Sequence, residues 1–346
     1  MSYSALIAMS GGVDSTVAAL LTLKDSAAKN CAGATMVLFG SEFKEQSLES
    51  LGINAFDIPF YTFDFRNYFT QEVIGPFIDE YNNARTPNPC VVCNKHIKFG
   101  ALLDKALEMG KDYVITGHYA QIDCDSNSRY LLKKGVDEKK DQSYVLYTLT
   151  QNQLSRIKFP LGSLTKSEVR KIAEEAGLSN AAGKESQDIC FIPDGDYANF
   201  IVSHTGKTPQ KGRFIDTNGS DLGENKGVLH YTIGQRRRLG LSMPHPPYVI
   251  DVNADSNTVI VGKNEELYSK VFKVININLI PFDKLDAPIK AQVKIRYNDP
   301  GHTALVTQTD DDKIHIEFDE PQRAITRGQS AVIYDDGVVI GGGTIM

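Results

Sequence analysis

The sequence of 346 residues is short of several features that mark whole classes of protein. No apolar stretch reaches the roughly 18–20 residues that span a bilayer, which excludes a membrane protein. A strand-like segment begins at the N-terminus, and it leaves no basic start of a signal peptide. Five cysteines, an odd number in a long chain, do not match the disulfide framework of a small secreted protein. We therefore expect a protein of the reducing cytoplasm with no membrane partner.

Excess positive charge is also missing. The chain has 37 Lys and Arg against 43 Asp and Glu, a net charge of −6. This balance argues against indiscriminate nucleic-acid binding by the whole surface, but it permits the local basic face of a discriminating RNA enzyme. The length and a hydrophobic content of 41% predict two or three domains with real cores.

The most informative stretch is a glycine-rich turn between a predicted strand at 5–9 and a predicted helix at 16–23. Its sequence is Ser10-Gly11-Gly12-Val13-Asp14-Ser15. Glycines permit positive φ and the close approach of a ligand, and the start of the helix favours an anion of phosphate size. The Walker lysine and the G-x-G-x-x-G pattern are both absent, so neither common phosphate-loop interpretation applies.

Alternating strand and helix patterns over residues 1 to about 120 predict an α/β fold with a doubly wound, mostly parallel sheet. Further strands are predicted at 34–39, 55–60 and 113–116, and helices at 43–51, 69–83, 97–109 and 165–177. Thr165 and Glu168 form a capping box at the start of the last helix. Ligands of such sheets lie at the carboxyl ends of the strands, where the loop 10–15 falls.

From about residue 206 the pattern changes to short strands separated by turns. Asn218-Gly219 predicts a hairpin, and beyond residue 270 the pattern is almost wholly β, which predicts a small barrel. The predicted domains are a catalytic domain at 1–205, a central β-rich domain at 206–268 and a C-terminal β-barrel at 269–346.

Three cysteines stand in informative surroundings. Pro87 and Pro89 force an extended entry to Cys90-Val91-Val92-Cys93, close to a helix start. A thiol in the first helical turn is expected to have a lowered pKa. Cys190 lies in Ser186-Gln187-Asp188-Ile189-Cys190, whereas Cys31 and Cys124 lack a motif and are interpreted as core or incidental surface thiols.

The loop 10–15 resembles the pyrophosphate loop of the ATP pyrophosphatase group. These enzymes split ATP between the α and β phosphates and form adenylates. A longer series of motifs is similar to that of the tRNA-specific 2-thiouridylases and covers nearly the whole chain. The series is Ser10–Ser15, Asn88-Pro89 with Cys93-Asn94, Thr116-Gly117-His118-Tyr119, Asp141-Gln142-Ser143-Tyr144, Ser186-Gln187-Asp188-Ile189-Cys190 and Thr232-Ile233-Gly234-Gln235-Arg236.

The resemblance implies that ATP, with Mg²⁺, adenylates O2 of the wobble uridine 34 in tRNAs for lysine, glutamate and glutamine. Sulfur would come from a cysteine persulfide that a sulfur-relay protein or a cysteine desulfurase loads. It implies that Cys93 is the nucleophile, that Cys190 bears the persulfide and that a disulfide takes part. The implied nucleotide contacts are Ala8, Ser10, Gly11, Gly12, Val13, Asp14, Ser15, Met36 and Gly117. For Met36 a core position, and for His118 an ordinary turn position, are equal alternatives.

Cys90 departs from the family pattern, in which most members carry an acid with a general-base role. Three interpretations compete. Cys90 packs silently, or it is a resolving thiol that lowers the pKa of Cys93. Alternatively, Cys90, Cys93 and Cys190 ligate an iron–sulfur cluster with one open site, or zinc, although three thiols are short of a closed zinc site. We favour the persulfide route without a cluster.

Several segments are candidates for tRNA contact. The run containing Lys140, Asp141 and Gln142, followed by the aromatic Tyr144, suits phosphate contact with base stacking. Arg236-Arg237-Arg238 is the densest basic cluster and would neutralise backbone phosphates. By resemblance, Arg296, Tyr297 and Gln329 of the β domain also approach the tRNA. For each, a plain surface position is the alternative.

Parts of the sequence are also compatible with two other functions. Another pyrophosphate-loop ligase, such as an amidotransferase synthetase, would leave the two spaced thiols unused, and the chain has no glutaminase domain. A cluster- or zinc-dependent RNA-binding regulator without catalysis would not require the intact Asp14 and Ser15.

Overall fold

The computed structural model describes residues 2–40, 56–178 and 189–346. The helix predicted at 43–51, and Ser186, Gln187 and Asp188 of the motif before Cys190, lie outside these residues. Within them, no helix has the length and apolar character needed to cross a membrane.

Strands and helices alternate in the first half of the chain, and strands dominate the second half. The strands are β1 (Ala5–Ala8), β2 (Ala32–Val37), β3 (Phe60–Asp64), β4 (Tyr113–Ile115), β5 (Ala120–Cys124), β6 (Tyr130–Lys134), β7 (Ile157–Lys158), β8 (Gly212–Asp216), β9 (Asp221–Asn225), β10 (Tyr248–Asn253), β11 (Thr258–Gly262), β12 (Tyr268–Leu279), β13 (Ile289–Lys294), β14 (His302–Asp310), β15 (Lys313–Arg323), β16 (Ser330–Asp335) and β17 (Val338–Ile345). The α-helices are α1 (Val13–Lys24), α2 (Arg66–Phe69), α3 (Gly75–Asn82), α4 (Pro89–Cys93), α5 (Leu102–Glu108), α6 (Gln151–Leu154), α7 (Lys166–Glu175) and α8 (Tyr197–Thr205). The π-helical segments Thr70–Ile74 and Asn94–Ala101 join α2 to α3 and α4 to α5. Short 3-10 helices lie at Ser143–Leu146, Val228–His230 and Asn264–Leu267.

A five-stranded parallel sheet of order β3-β2-β1-β4-β7 forms the N-terminal core. Successive side chains of a strand point to opposite faces. Leu6 of β1 accordingly packs with Phe77 of α3 and Leu102 of α5, whereas Ile7 packs with Ala19 of α1. Helices therefore cover both faces, which confirms the predicted doubly wound α/β fold.

The strand predicted at 55–60 is wrong in its position, because β3 runs from Phe60 to Asp64. Pro59 has no N–H to donate to a ladder, so regular pairing starts after it. Its carbonyl still accepts from the N–H of Gly33 at 2.9 Å. Residues 56–59 are therefore the approach to the strand and not the strand itself.

The helix predicted at 97–109 begins eight residues earlier, at Pro89 of α4, and continues through the π-helical segment to Glu108. The side chain of Asn88 caps it by accepting from the N–H of Cys90 at 3.1 Å. At the start of α7, the predicted capping box between Thr165 and Glu168 is confirmed.

The second half of the chain forms two sheets. A four-stranded sheet has the order β10-β11-β8-β9, and the predicted hairpin at Asn218-Gly219 joins β8 to β9. The strands β12-β15-β14-β13-β16-β17 form an antiparallel barrel that β12 and β17 close, so the predicted small barrel is confirmed. The hairpin β5–β6 of the N-terminal half extends this sheet through β17, where Lys133 pairs with Val338.

One turn of the barrel, residues 326–329, contacts the segment that leads into α4. Thr86 donates its N–H to the carbonyl of Arg327 at 2.8 Å and accepts at its own carbonyl from the side chain of Gln329 at 2.7 Å. Gly328 has φ +87, and a Cβ there would lie 2.8 Å from the Thr86 nitrogen. This close approach requires glycine and fixes the barrel against the approach to Cys90.

Candidate active site

The loop 10–15 lies between β1 and α1 with its backbone exposed to a cavity. Gly12 is the N-cap of α1 and has no side chain that could cap the first turn. The hydroxyl of Ser15 closes the loop by accepting from the N–H of Ser10 at 3.2 Å and donating to the carbonyl of Gly12 at 2.9 Å. A Cβ at Gly12 would meet only Ser10 Oγ, at 3.6 Å, so the space beside the loop is open. The loop therefore has the geometry expected for binding an anion.

Asp14 in this loop is held by two side chains from distant parts of the chain. The ammonium of Lys166, at the start of α7, donates to both carboxylate oxygens at 2.6 and 2.8 Å. The hydroxyl of Tyr119 donates to Oδ1 at 2.7 Å. Lys166 and Tyr119 are both buried. The carboxylate is therefore oriented before any ligand binds.

A cavity of about 450 Å³ unites the loop with the three motif cysteines. Predicted site residues that line it are Ala8, Ser10, Asp14, Ser15, Met36, Gly117, His118, Gln142, Cys90, Cys93 and Cys190. Val13 faces the other way and packs in the core with Val17 and Ala18 of α1. One cavity therefore brings together the predicted nucleotide and sulfur residues, which the sequence separates by up to 182 positions, from Ala8 to Cys190.

Gly117 lies where the end of β4 meets the start of α1. A Cβ at this position would lie 2.7 to 2.9 Å from backbone atoms of Asp14 and Ser15. Real Cβ atoms do not approach backbone so closely, so a side chain here would push β4 and the loop apart. Glycine is required by the protein itself at this point, whatever it also contributes to a ligand.

His118 follows in the cavity wall and is buried and neutral, because burial holds the pKa of its imidazole well below the usual range and Lys98 adds to the effect. Its Nε2 lies 3.4 Å from the ammonium of Lys98, and its Nδ1 lies 2.6 Å from the hydroxyl of Thr116. An ammonium only donates, so Nε2 accepts and Nδ1 carries the proton that His118 donates to Thr116.

The three motif cysteines are free thiols that line the same cavity as the loop. Cys93 is buried, with 9% of its surface exposed, and packs in the core with Phe69 and Phe191. Cys90 and Cys190 are exposed, and both open into the cavity. Cys31 is buried beside β1, and Cys124 is exposed outside this cavity, as expected for thiols without a role in it.

The expected lowering of thiol pKa is wrong for this structure. Burial raises the pKa of Cys93 to about 11, and the neighbouring thiols Cys190 and Cys90 add to this rise. Burial also raises the pKa of Cys90 and of Cys190, because the cavity walls displace water even from thiols with exposed surface. Loss of hydration is the largest cause of the pKa shift at all three thiols. The interpretation of Cys90 as a residue that lowers the pKa of Cys93 is therefore wrong as well.

The run 140–142 is largely built into the protein. The carboxylate of Asp141 is buried and accepts from the N–H groups of Gly135 and Ser143, both at 3.1 Å. Gln142 accepts from the N–H of Tyr119 at 3.0 Å. Tyr144 is fully buried and donates to the carbonyl of Ser330, so it has no ring face for a base, contrary to expectation.

The other predicted tRNA residues lie outside the cavity. Arg236, Arg237 and Arg238 are exposed on the central β-rich part. Arg296 contacts the buried Asp299 at 3.7 Å, and Tyr297 donates its hydroxyl to the carbonyl of Asp141 at 3.2 Å. Lys140 is half-buried and Gln329 bonds to Thr86.

Three residues of the site were missed in the sequence. Lys166 and Tyr119 hold Asp14, and Lys98 lies beside His118. Tyr119 ends the motif Thr116–Tyr119, which could have drawn attention to it. Nothing local distinguishes Lys166 or Lys98 from an exposed helix lysine, because each owes its role to a contact distant in sequence.

Taken together, the fold and the cavity define a class. A parallel α/β sheet with a glycine-rich, anion-binding turn after its first strand, and a cavity at the carboxyl ends of β1 and β4, is a nucleotide-binding α/β domain. The β-rich second half is attached to it.

Comparisons with known proteins identify the family. Residues 4–194 match the family described as tRNA methyl transferase HUP domain, residues 198–263 its PRC-barrel domain and residues 269–345 the aminomethyltransferase beta-barrel domain. The tRNA-specific 2-thiouridylase MnmA of Clostridioides difficile is 46% identical over 100% of this chain and 98% of its own length. That of Acetivibrio thermocellus is 44% identical over 98% of each chain. The chain belongs to the tRNA-specific 2-thiouridylase family.

One solved structure was also similar in part. It is the U34-tRNA thiolase NcsA from Methanococcus maripaludis with its [4Fe-4S] cluster, at 17% identity and a TM-score of 0.34 over 59% of this chain and 66% of that one. An overlap this weak carries no argument about the present protein.

Proposed function

We propose that this protein catalyses the ATP-dependent 2-thiolation of uridine 34 in tRNAs for lysine, glutamate and glutamine. The observation that carries the proposal is the shared cavity of about 450 Å³, which the loop 10–15 and the thiols of Cys90, Cys93 and Cys190 all line. An activated base and a sulfur nucleophile must meet at bonding distance, and this cavity offers one place for both.

The first step is adenylation. O2 of the uridine forms a bond to the α-phosphorus of ATP, and pyrophosphate leaves with the electron pair of the α–β bridge. The N–H groups at the start of α1 would favour the departing anion, and Met36 and Gly117, which line the cavity, would contact the adenosine. Asp14 and Ser15 would hold Mg²⁺ through their oxygens together with the phosphates, whose charge the ion would neutralise.

The second step transfers sulfur from a persulfide on Cys190. The terminal sulfur bonds to C2 of the uridine, and the C2–O bond breaks as AMP leaves with its electron pair. The thiolate of Cys93 then attacks the Sγ of Cys190. The S–S bond breaks, its electrons remain on the uridine sulfur, and a Cys93–Cys190 disulfide forms. A thiol reductant restores both cysteines, and a sulfur-relay protein or cysteine desulfurase reloads Cys190.

The thiols of Cys90, Cys93 and Cys190 are of the donor type that an iron–sulfur cluster takes. Within residues 2–40, 56–178 and 189–346, however, no three side chains of His, Cys, Asp or Glu are grouped closely enough to hold a metal ion. We derive no step through a cluster, and we propose that Cys90 packs in the cavity wall. The five free thiols also favour a cytoplasmic location.

We propose the exposed cluster Arg236–Arg238 as the main phosphate contact for tRNA. Replacing all three by alanine should weaken tRNA binding and flatten the plot of log affinity against log salt by up to about one unit per lost phosphate contact. An unchanged slope would assign tRNA binding to another surface.

The reaction class is tested by a single turnover with tRNA and ATP labelled in the α-phosphate. We expect AMP and pyrophosphate as products and 2-thiouridine in the digested tRNA, because the loop has no Walker lysine. Accumulation of ADP would contradict the proposal, and adenylated tRNA trapped without a sulfur source would support its first step.

A further inference from the structure

Lys98 is the only lysine or arginine that lines the cavity within the described part of the chain. Its side chain is half-buried and extends from the π-helical segment Asn94–Ala101. The other ammonium near the cavity, that of Lys166, is already bonded to Asp14. Apart from Asp14, the other described lining residues are neutral or apolar, so Lys98 supplies the positive charge of the wall.

The imidazole of His118 fixes one N–H of this ammonium and leaves the others for the cavity. Nε2 of His118, at 3.4 Å, is the hydrogen-bond partner of Lys98, and within the described residues no carboxylate lies within ion-pair distance of the ammonium. A lysine carries three donors. Two donors and a full charge therefore remain for an anion that enters the cavity.

The π-helical turn brings this charge to the sulfur chemistry. Hydrogen bonds of a π-helix join residues five apart, so Lys98 lies one turn after Cys93. In a regular α-helix the fourth residue, Ile97, would follow Cys93 on the same face, but Ile97 is fully buried in the core. Single π turns frequently occur at functional sites. Lys98 also opposes the rise in pKa that burial causes at Cys90, Cys93 and Cys190.

We propose that Lys98 is a catalytic residue of the sulfur-transfer step, which stabilises the negative charge on the sulfur that attacks C2 and on the Cys93 thiolate. The inference rests on the proposed function. As the persulfide bonds to C2 and AMP leaves, the reacting sulfur passes from anion to neutral and Cys93 must then become an anion. A fixed ammonium in a cavity poor in water supports both states without reorganisation.

The alternative within the same cavity is a contact between Lys98 and the phosphates of ATP. The two roles affect different steps. A phosphate contact would be needed for pyrophosphate release, whereas a sulfur contact would be needed only after it.

The test measures both steps in single turnovers of the full-length enzyme with tRNA, ATP, and a cysteine desulfurase with cysteine as the persulfide source. Lys98→Met should leave pyrophosphate release within about threefold of wild type and slow 2-thiouridine formation by about 10²–10³-fold. Lys98→Arg should recover most of the loss, since it restores the charge. Lys105→Met, on the exposed face of α5 where Lys105 pairs with Glu108 at 2.6 Å, is the matched control and should leave both rates unchanged.

Equal losses in both steps would overturn the inference in favour of a phosphate contact. Normal thiolation by Lys98→Met would also overturn it, because neither step would then need the ammonium. If Lys98→Met does not fold, Lys98→Gln keeps a donor without the charge and should show the same split. Wild-type enzyme that forms no 2-thiouridine would overturn the proposed function and this inference together, so the two failures are distinguishable.

Discussion

Two groups of residues in the cavity wall arrange charge in opposite ways: the loop 10–15, called here the loop end, and the thiols of Cys90, Cys93 and Cys190, called the thiol end. At the loop end, Asp14 is bonded to Lys166 at 2.6 Å and to Tyr119 at 2.7 Å, so its charge is balanced and its direction is fixed. At the thiol end, burial raises the pKa of Cys93 to about 11, and Lys98 is the only lysine or arginine among the described lining residues. The loop is therefore organised in advance, whereas burial favours the protonated, less nucleophilic form of the thiols. A protonated thiol is also the form that resists oxidation.

The largest effect on 2-thiouridine formation is expected when a sulfur of the thiol end is removed. Cys93→Ser or Cys190→Ser should lower 2-thiouridine by about 10³-fold or more, because neither a persulfide nor its release is available to serine. Cys90→Ser should retain partial activity, since Cys90 is assigned to packing. Mass spectrometry of digested tRNA from a thiolase-deficient strain that carries each variant measures the effect. Cys124→Ser, outside the cavity, is the control, and normal 2-thiouridine with Cys93→Ser would refute the assignment.

At the loop end, Lys166→Met should lower tRNA-dependent pyrophosphate release by about 10²-fold. The variant leaves the Asp14 carboxylate without its balancing ammonium, although the hydroxyl of Tyr119 still bonds to Oδ1. Initial rates over a range of ATP concentrations, with tRNA binding measured separately, locate the loss in the nucleotide step. Lys171→Met on the same helix removes an exposed pair with Glu175 at 3.8 Å and should change nothing. Unchanged ATP use in Lys166→Met would mean that Asp14 does not need the balancing ammonium.

The raised pKa of Cys93 predicts that its rate of alkylation depends on pH. Because the pKa of Cys93 is about 11, its alkylation by iodoacetamide in the ligand-free enzyme should rise about tenfold per pH unit between pH 8 and 10. Peptide mass spectrometry quantifies the Cys93 peptide alone. In the urea-unfolded chain the same peptide should approach its full rate near the ordinary thiol pKa. A plateau below pH 9 in the folded enzyme would show that the helix dipole outweighs burial after all.

A pair of glycines gives the smallest and most selective effects. Gly117→Ala should cost about 1–3 kcal/mol of unfolding free energy, because its Cβ would lie within 2.9 Å of the loop backbone. In Gly12→Ala the new Cβ would contact only Ser10 Oγ, at 3.6 Å, so this variant should fold normally. It should bind ATP less tightly, because the methyl group occupies the space beside the loop in which the anion would bind. Thermal unfolding and ATP titration of both variants separate the two roles. Equal stability of the two variants would contradict the structure at Gly117.

Much of the site could be predicted because local sequence encodes it. The loop 10–15 requires glycines and a strand-to-helix turn, and these are readable in a short window. Met36 lies near the end of β2 and Gly117 follows β4, the two strands on either side of β1, and parallel strands end at one edge of the sheet. The barrel was predictable because turns punctuate its strands at short intervals. The position of β3 was not, because the apolar residues before Pro59 resemble a strand although the ladder starts after it.

What the sequence by itself determined is the succession of elements, the anion-binding turn and the motif thiols, since each depends on residues within a few positions of one another. Only the tertiary structure decided the electrostatics. Lys166 meets Asp14 across 152 positions, and a π turn, not the regular helical period, directs Lys98 to the cavity. The pKa of Cys93 rises because Phe69 and Phe191 pack around its helix and exclude water. Burial depends on what folds against a residue, and no local pattern around Cys93 records it.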